Sequence, residues 1–255
     1  AGLRADWLAP ADVRQRWPGV AVDCRGALLA PDDGAVDPAT LTRALLTDAR
    51  RLGTIVIPER VDRLIVARHR VGGVATGGGA WITDHVVIAA GAWSARLPGM
   101  PRPVPVEPVR GQLVATAWPP DVPPGILFHH HAYVLARADR AVLGSTMEHV
   151  GFDARTSDEG IARVLAGARR LLPPLERMPV VRAWAGLRPV TPDGQPIVGP
   201  DPAVAGLWYA VGHGRSGILL AALTGDVIAA LLATGSTTVD ISPWRPERWD
   251  AVVDR

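Results

Sequence analysis

The segment GLWYAVGHGRSGILLAALTGDVIAALL, residues 206–232, decides the fold. Leu207 to Val211 form an apolar run of strand length, glycines follow at 212, 214 and 217, and the chain then stays apolar to Thr234 at helix length. A buried strand feeding a helix through a glycine turn commits the chain to an α/β layer. The glycines are spaced G-x-G-x-x-G, so a dinucleotide-binding turn has to be weighed, and Asp240 in STTVDI lies at about the distance of a ribose-binding acid. That fold needs further strand–helix–strand units beyond the acid, and the chain ends within fifteen residues of Asp240 in the extended-looking SPWRPERWD. A tight connector without a ligand is the other alternative.

With 255 residues and 48% hydrophobic side chains, the chain can bury one large core or two modest ones. Its net charge is only +2 and its arginines are dispersed, which argues against nucleic acid as a partner. One cysteine, Cys24, rules out an internal disulfide framework or thiolate cluster and fits a cytoplasmic address. The opening AGLRADWLAP has no apolar run behind a basic start, so no secretory signal is expected. Gly217–Thr234 carries Asp226 at its middle and is expected to be a buried helix and not a membrane span. The chain opens without methionine, as a piece of something longer would.

Outward from the deciding segment, DPATLTRALLTDARRLG (37–53) reads as a helix, with Asp37 as cap, Pro38 at its first position, Gly53 past its end and a buried stripe through Leu41, Leu45 and Leu52. TIVIP (54–58) reads as a buried strand, followed by strands in 61–67, 72–83 and 86–90 with a hairpin turn at Gly77–Gly79. Prolines cluster from 98 to 108 and mark a domain crossover. Beyond them GILFHHHAYVLARADRAVLGSTM (125–147) alternates as an antiparallel sheet does, and SDEGIARVLAGARRLLP (157–173) is a helix capped by Ser157 or Asp158. The fold class expected is α/β (α+β): a layer with a parallel central sheet, interrupted by an antiparallel-sheet domain. Residues 1–30 are assigned to the antiparallel substrate domain, 31–98 to the parallel layer, 99–185 to the substrate domain, and 186–255 to the parallel layer and a tail.

Four motifs, VVIAAGAWS (86–94), PVEPVRGQL (105–113), WAGLRPVTPDGQPIVGP (184–200) and the deciding segment, resemble in order and spacing the FAD-dependent amine oxidoreductases of the D-amino-acid oxidase superfamily. The likeness is greatest to the glycine oxidases of thiamine biosynthesis and extends from Arg4 to Trp249. It implies FAD as cofactor, with Gly212, His213, Gly214, Arg215, Ser216, Gly217 and Ile218 against the flavin, Ala90, Gly91 and Trp93 at a second turn, and Val61 near the adenine end. A helix N-terminus with close-packing glycines suits an anionic flavin edge.

By the same resemblance Arg188 grips the substrate carboxylate, Tyr133 adds a hydroxyl, and His131, Met147 and Arg215 line the pocket. A guanidinium remains charged and binds a carboxylate bidentately, although an internal ion pair would use the same side chain. Met147 is equally a core filler. Gly214 stands where these enzymes usually place an aromatic residue, which opens one wall of the pocket. The triple histidine 129–131 is not read as a metal site, because neighbours on a strand face opposite ways and no carboxylate or cysteine nearby completes a ligand set. No acid–base residue is required. The implied reaction is removal of hydride from a small amine-bearing acid such as glycine or sarcosine, hydrolysis of the imine to keto acid and ammonia, and reoxidation by O2 to hydrogen peroxide. A non-catalytic subunit keeping the amino-acid pocket is the other class. The family's N-terminal ADP-binding unit has no counterpart upstream of Arg4, so a further segment or partner, or a homo-oligomer, is expected.

Overall fold

The structure, a computed structural model, describes residues 2–252 except 131 and 139, with the backbone alone for 250–252. In chain order its elements are β1 (Asp6–Leu8), α1 (Pro10–Arg16), β2 (Ala27–Leu29), α2 (Pro38–Arg51), β3 (Val61–Ala67), β4 (Arg70–Thr76), β5 (Gly79–Ile82), β6 (Val86–Ile88), β7 (Glu107–Ala117), β8 (Ile126–His129), β9 (Ala132–Arg137), β10 (Arg140–Gly144), α3 (Asp158–Leu171), β11 (Val180–Val190), β12 (Ile197–Pro200), β13 (Leu207–Val211) and α4 (Gly217–Thr234). Two compact units result, one of Ala1–Leu41 with Arg110–Gly186, the other of Thr42–Val109 with Leu187–Arg255.

The first unit is built on a five-stranded sheet ordered β11-β7-β10-β9-β8, beside the small antiparallel pair β1–β2. Alternation along β9 and β10 sends Val134, Ala141 and Leu143 to one face, where they pack with Val164, Ala168 and Leu172 of the α3 segment in a closed core. Ser157 caps α3, its hydroxyl accepting from Gly160 N at 3.2 Å, and Asp158 and Glu159 complement the positive helix end. The opposite face of the sheet carries Tyr133, Leu135 and Phe128 and is only partly covered.

The second unit holds the antiparallel sheet β3-β4-β5 and a mixed sheet ordered β12-β13-β6. Here β13 and β6 run parallel, while β12 and β13 run antiparallel. One core joins Leu64, Val71, Ile88, Ile197, Leu207 and Tyr209; a second sets Val198 against Val227, Ile228 and Leu231 of α4. The fold class expected from the sequence is observed, with parallel pairing among the described residues limited to β6–β13 and an isolated bridge between Arg70 and Ala205.

Three local expectations need correction. TIVIP forms no strand, and Ile55 is 79% exposed, because no strand among the described residues offers hydrogen bonds to it. Helix α2 forms where expected, with Asp37 Oδ1 accepting from Thr40 N at 2.6 Å, but none of its residues is buried. Helix α4 is apolar apart from Asp226 and its threonines, yet buries only Thr224, Val227, Ile228 and Leu231, leaving Leu219 83% exposed. The Gly214–Thr234 span is long and apolar enough to cross a membrane by length and composition, a test that a core helix also passes.

Candidate functional site

The mixed sheet of the second unit gathers the glycine turns. Leu207, Trp208 and Tyr209 pair in parallel register with Val86, Val87 and Ile88, so both strands end at the same edge. Ala90, Gly91 and Trp93 follow Ile88 there, and Gly212–Ile218 follow Val211. The crevice beyond the carboxyl ends of parallel strands is where open α/β sheets take ligands.

Backbone geometry explains these glycines individually. Gly212 has φ +77°, and a Cβ on it would come 2.7 Å from Thr191 Cγ2, so both conformation and space demand glycine. Gly91 also lies in the left-handed region, at φ +55°, but a Cβ there would stand in open space. Gly217 has ordinary helical φ, and its nearest neighbour to an added Cβ is 3.7 Å away. Two bare positions at one edge leave room for a flat group to approach the backbone closely.

A 3-10 turn, Gly214–Ser216, runs directly into α4, so the positive end of the helix begins at Gly214, on the sheet edge. His213 Nε2 lies 2.9 Å from Thr224 Oγ1 and ties this turn to the body of α4. Burial pushes the His213 imidazole below its ordinary pKa, which favours the neutral ring. His213 also bridges to Val190 of β11 through the backbone, and Arg188 is two residues before Val190, on the same strand face. Arg188 is half-buried, whereas Arg215 and Ser216 are exposed in the turn.

Ala90, Gly91, Trp93, Arg188 and the 212–218 turn are thus brought to one end of one unit. Val61 begins β3 in the separate antiparallel sheet, paired with Thr76. Tyr133 and Met147 belong to the first unit: Tyr133 pairs with Phe128 on one side and Gly144 on the other, and Met147 is 50% exposed just past β10. His131 lies outside the described residues.

Sequence reasoning missed a buried polar cluster in the first unit. Glu148 accepts from Arg110 Nε at 2.6 Å, from Gln112 Nε2 at 3.1 and 3.0 Å, and from Arg163 Nη2 at 2.8 Å. Burial alone would raise its pKa, but the hydrogen bonds from Gln112, Arg110 and Thr146 and the Arg110 charge outweigh it and hold the carboxyl below its ordinary value. Gln112 also accepts from Ser157 N at 2.8 Å, so this cluster anchors the start of α3. In the second unit Tyr209 donates to Asp201 at 2.8 Å, and Arg102 lies 3.1 Å from the same oxygen.

A positive helix end, two open glycines and no nearby acid in the turn fit the polar edge of a flat, electron-rich cofactor better than a cation. Comparison with known proteins agrees. Residues 1–231 match the model of the DAO family, described as FAD dependent oxidoreductase. The chain is 38% identical over 231 residues to the bifunctional protein ThiO/ThiG of Trichormus variabilis, covering 88% of this chain and 35% of that protein. It is 36% identical over 248 residues to the hydrogen cyanide synthase subunit HcnC of Pseudomonas aeruginosa, covering 95% of this chain and 60% of that protein. It superposes on the crystal structure of glycine oxidase from Geobacillus kaustophilus with a TM-score of 0.89 at 33% identity, covering 96% of this chain and 67% of that one. The first of these relatives is thus matched over about a third of its length and the second over less than two thirds. Through its edge of paired glycine turns and this family match, the chain belongs to the DAO family of FAD-dependent oxidoreductases.

Proposed function

We propose that the protein carries out FAD-dependent oxidative deamination of glycine or another small amine-bearing acid, yielding the keto acid, ammonia and hydrogen peroxide, with a place in thiamine biosynthesis. The observation that carries this is the parallel β6–β13 pair, whose two glycine turns share an edge with the strand end bearing Arg188. The likeness to glycine oxidase and ThiO/ThiG supports the substrate class and the thiamine role. When bound, FAD supplies the two-electron acceptor and hands the electrons on to O2.

The chain's own residues do the binding and orienting. Arg188 clamps the substrate carboxylate, and Tyr133 donates a hydroxyl hydrogen bond to it, which fixes the Cα–H direction. The backbone of Gly212–Ile218 and the positive end of α4 would hold the polar edge of the flavin and would stabilise negative charge on it. Ala90, Gly91 and Trp93 would hold the cofactor at the second turn, Val61 would serve its adenine end, and Met147, His131 and Arg215 would border the substrate. No side chain acts as general acid or base. The single cysteine suits a cytoplasmic setting.

The test is an absorbance scan near about 450 nm of purified protein supplied with FAD, followed by peroxide measurement with glycine and with sarcosine. A yellow protein that forms peroxide with either amine supports the proposal. A colourless one unable to bind FAD, with or without an added glycine-rich strand–helix–strand segment, overturns it. The likeness to a cyanide synthase subunit favours one second reading: a subunit that contributes the amino-acid pocket to a larger complex.

A further inference from the structure

Gly144, the last residue of β10, is not among the glycines held in the left-handed region. Its need is spatial. It stands opposite Tyr133 in the β9–β10 register, and a Cβ added to it would overlap the Cζ, Oη and Cε1 atoms of the Tyr133 ring. The phenol therefore leans from β9 across β10, and its hydroxyl is held directly above the Gly144 α-carbon. Leu113 of β7 flanks Gly144 on the far side, on this same sheet face.

We infer that Gly144 is the positioning residue for the Tyr133 hydroxyl, and that the bare α-carbon at 144 decides which substrate atoms the hydroxyl can reach. The inference rests on the substrate role proposed for Tyr133. A methyl at 144 closes the space over β10, and the remaining χ1 wells point the ring elsewhere, including toward Phe128, its partner on β8, which is 61% exposed. The hydroxyl then moves by several times a hydrogen-bond tolerance. Loss of one hydrogen bond to a charged carboxylate corresponds to roughly a tenfold rise in KM, with kcat less affected.

The test uses protein labelled with 3-fluorotyrosine, supplied with FAD. This sequence has two tyrosines, and Tyr133→Phe assigns the 133 resonance by its disappearance, leaving that of Tyr209, which is buried against Asp201. In Gly144→Ala the 133 resonance should shift and the 209 resonance should not. Glycine added to the parent should move the 133 resonance, and Gly144→Ala should need roughly tenfold more glycine to do so. If glycine and sarcosine leave the parent's 133 resonance unmoved, the substrate role of Tyr133 fails; if Gly144→Ala leaves it in place, the positioning inference fails. Thermal unfolding guards against simple misfolding. Gly144→Ala should melt lower than the parent, and Tyr133→Ala/Gly144→Ala should melt with Tyr133→Ala, because the overlap is gone. A loss that persists in the double variant overturns the inference.

Discussion

Replacing Glu148 by glutamine should destabilise the protein by about 2–4 kcal/mol. Removing one member of a buried ion pair costs about 3–5 kcal/mol, because the partner charge remains buried. Glu148 and Arg110 are 8% and 9% exposed at the side chain, which puts this pair in that class. Two features reduce the figure. Arg110 keeps the Arg155 carbonyl at 2.9 Å and Asp153 at 3.4 Å, and glutamine retains one carbonyl oxygen as acceptor. Against that, its new amide faces donors from Gln112 and Arg163, and donor facing donor leaves one of them unpaired. At about 2–4 °C per kcal/mol for a chain of this size, the melting temperature should fall by roughly 5–15 °C. Near-ultraviolet circular dichroism on heating reads this, with amide exchange in β7 and β10 locating it. Arg163→Ala is the control: its side chain is 55% exposed, and it should cost less than about 1 kcal/mol. The same carboxylate predicts an acid limb. Its folded pKa lies below the ordinary 4.5, so its stabilisation is complete above that value and is lost as the pH falls below it toward the folded value. The variant should lack this limb. A Glu148→Gln protein melting with the parent would show that the cluster contributes no net stability.

Arg188→Ala should raise KM for glycine or sarcosine by about 2–4 kcal/mol, roughly 30- to 1000-fold, and unchanged substrate affinity would remove Arg188 from the carboxylate site. Gly212→Ala should cost about 2–3 kcal/mol, from left-handed strain plus the overlap with Thr191. Thr191 cannot swing away, since its hydroxyl is held by Gln195 O at 2.6 Å; Thr191→Ser should restore part of the loss, and melting curves showing no recovery would refute the overlap. The depressed pKa of His213 means that its folded state binds fewer protons, so this stabilisation is full above pH 6.5 and wanes below it; His213→Asn should flatten the melting temperature between about pH 7 and 5, and an unaltered slope would exclude His213 as its source.

Strong periodicity was readable from the sequence. The Ser157 cap and its apolar stripe located α3, the alternation after Gly125 located the β8–β10 sheet, and residues 206–232 located β13, the turn and α4. What escaped depended on partners. β1 and β2 are three residues each, too short for a period to show. TIVIP has a strand's composition but gains no neighbouring strand, and α2 has a helix's stripe that nothing in the described structure buries. The Glu148 cluster left one trace, Arg110 and Gln112 at alternate positions in the buried middle of β7. Only strand register could show that a carboxylate 38 residues later closes it. The site divides in the same way: glycine spacing marked each turn, while the parallel pairing that sets the two turns side by side is a long-range fact.

That pairing also orders the birth of the molecule. Val86 and Leu207, joined in parallel register, are roughly 120 residues apart in sequence, a separation with a large closure entropy and slow formation. During synthesis β6 leaves the ribosome long before its partner exists, and the antiparallel sheet between them can fold first and shorten the gap. The edge that carries both glycine turns is then completed late, only after β13 has been made. A cofactor seated there binds only the finished state and pulls the final step forward by mass action, so FAD present during refolding should raise the yield of native protein while leaving the earliest phase unchanged.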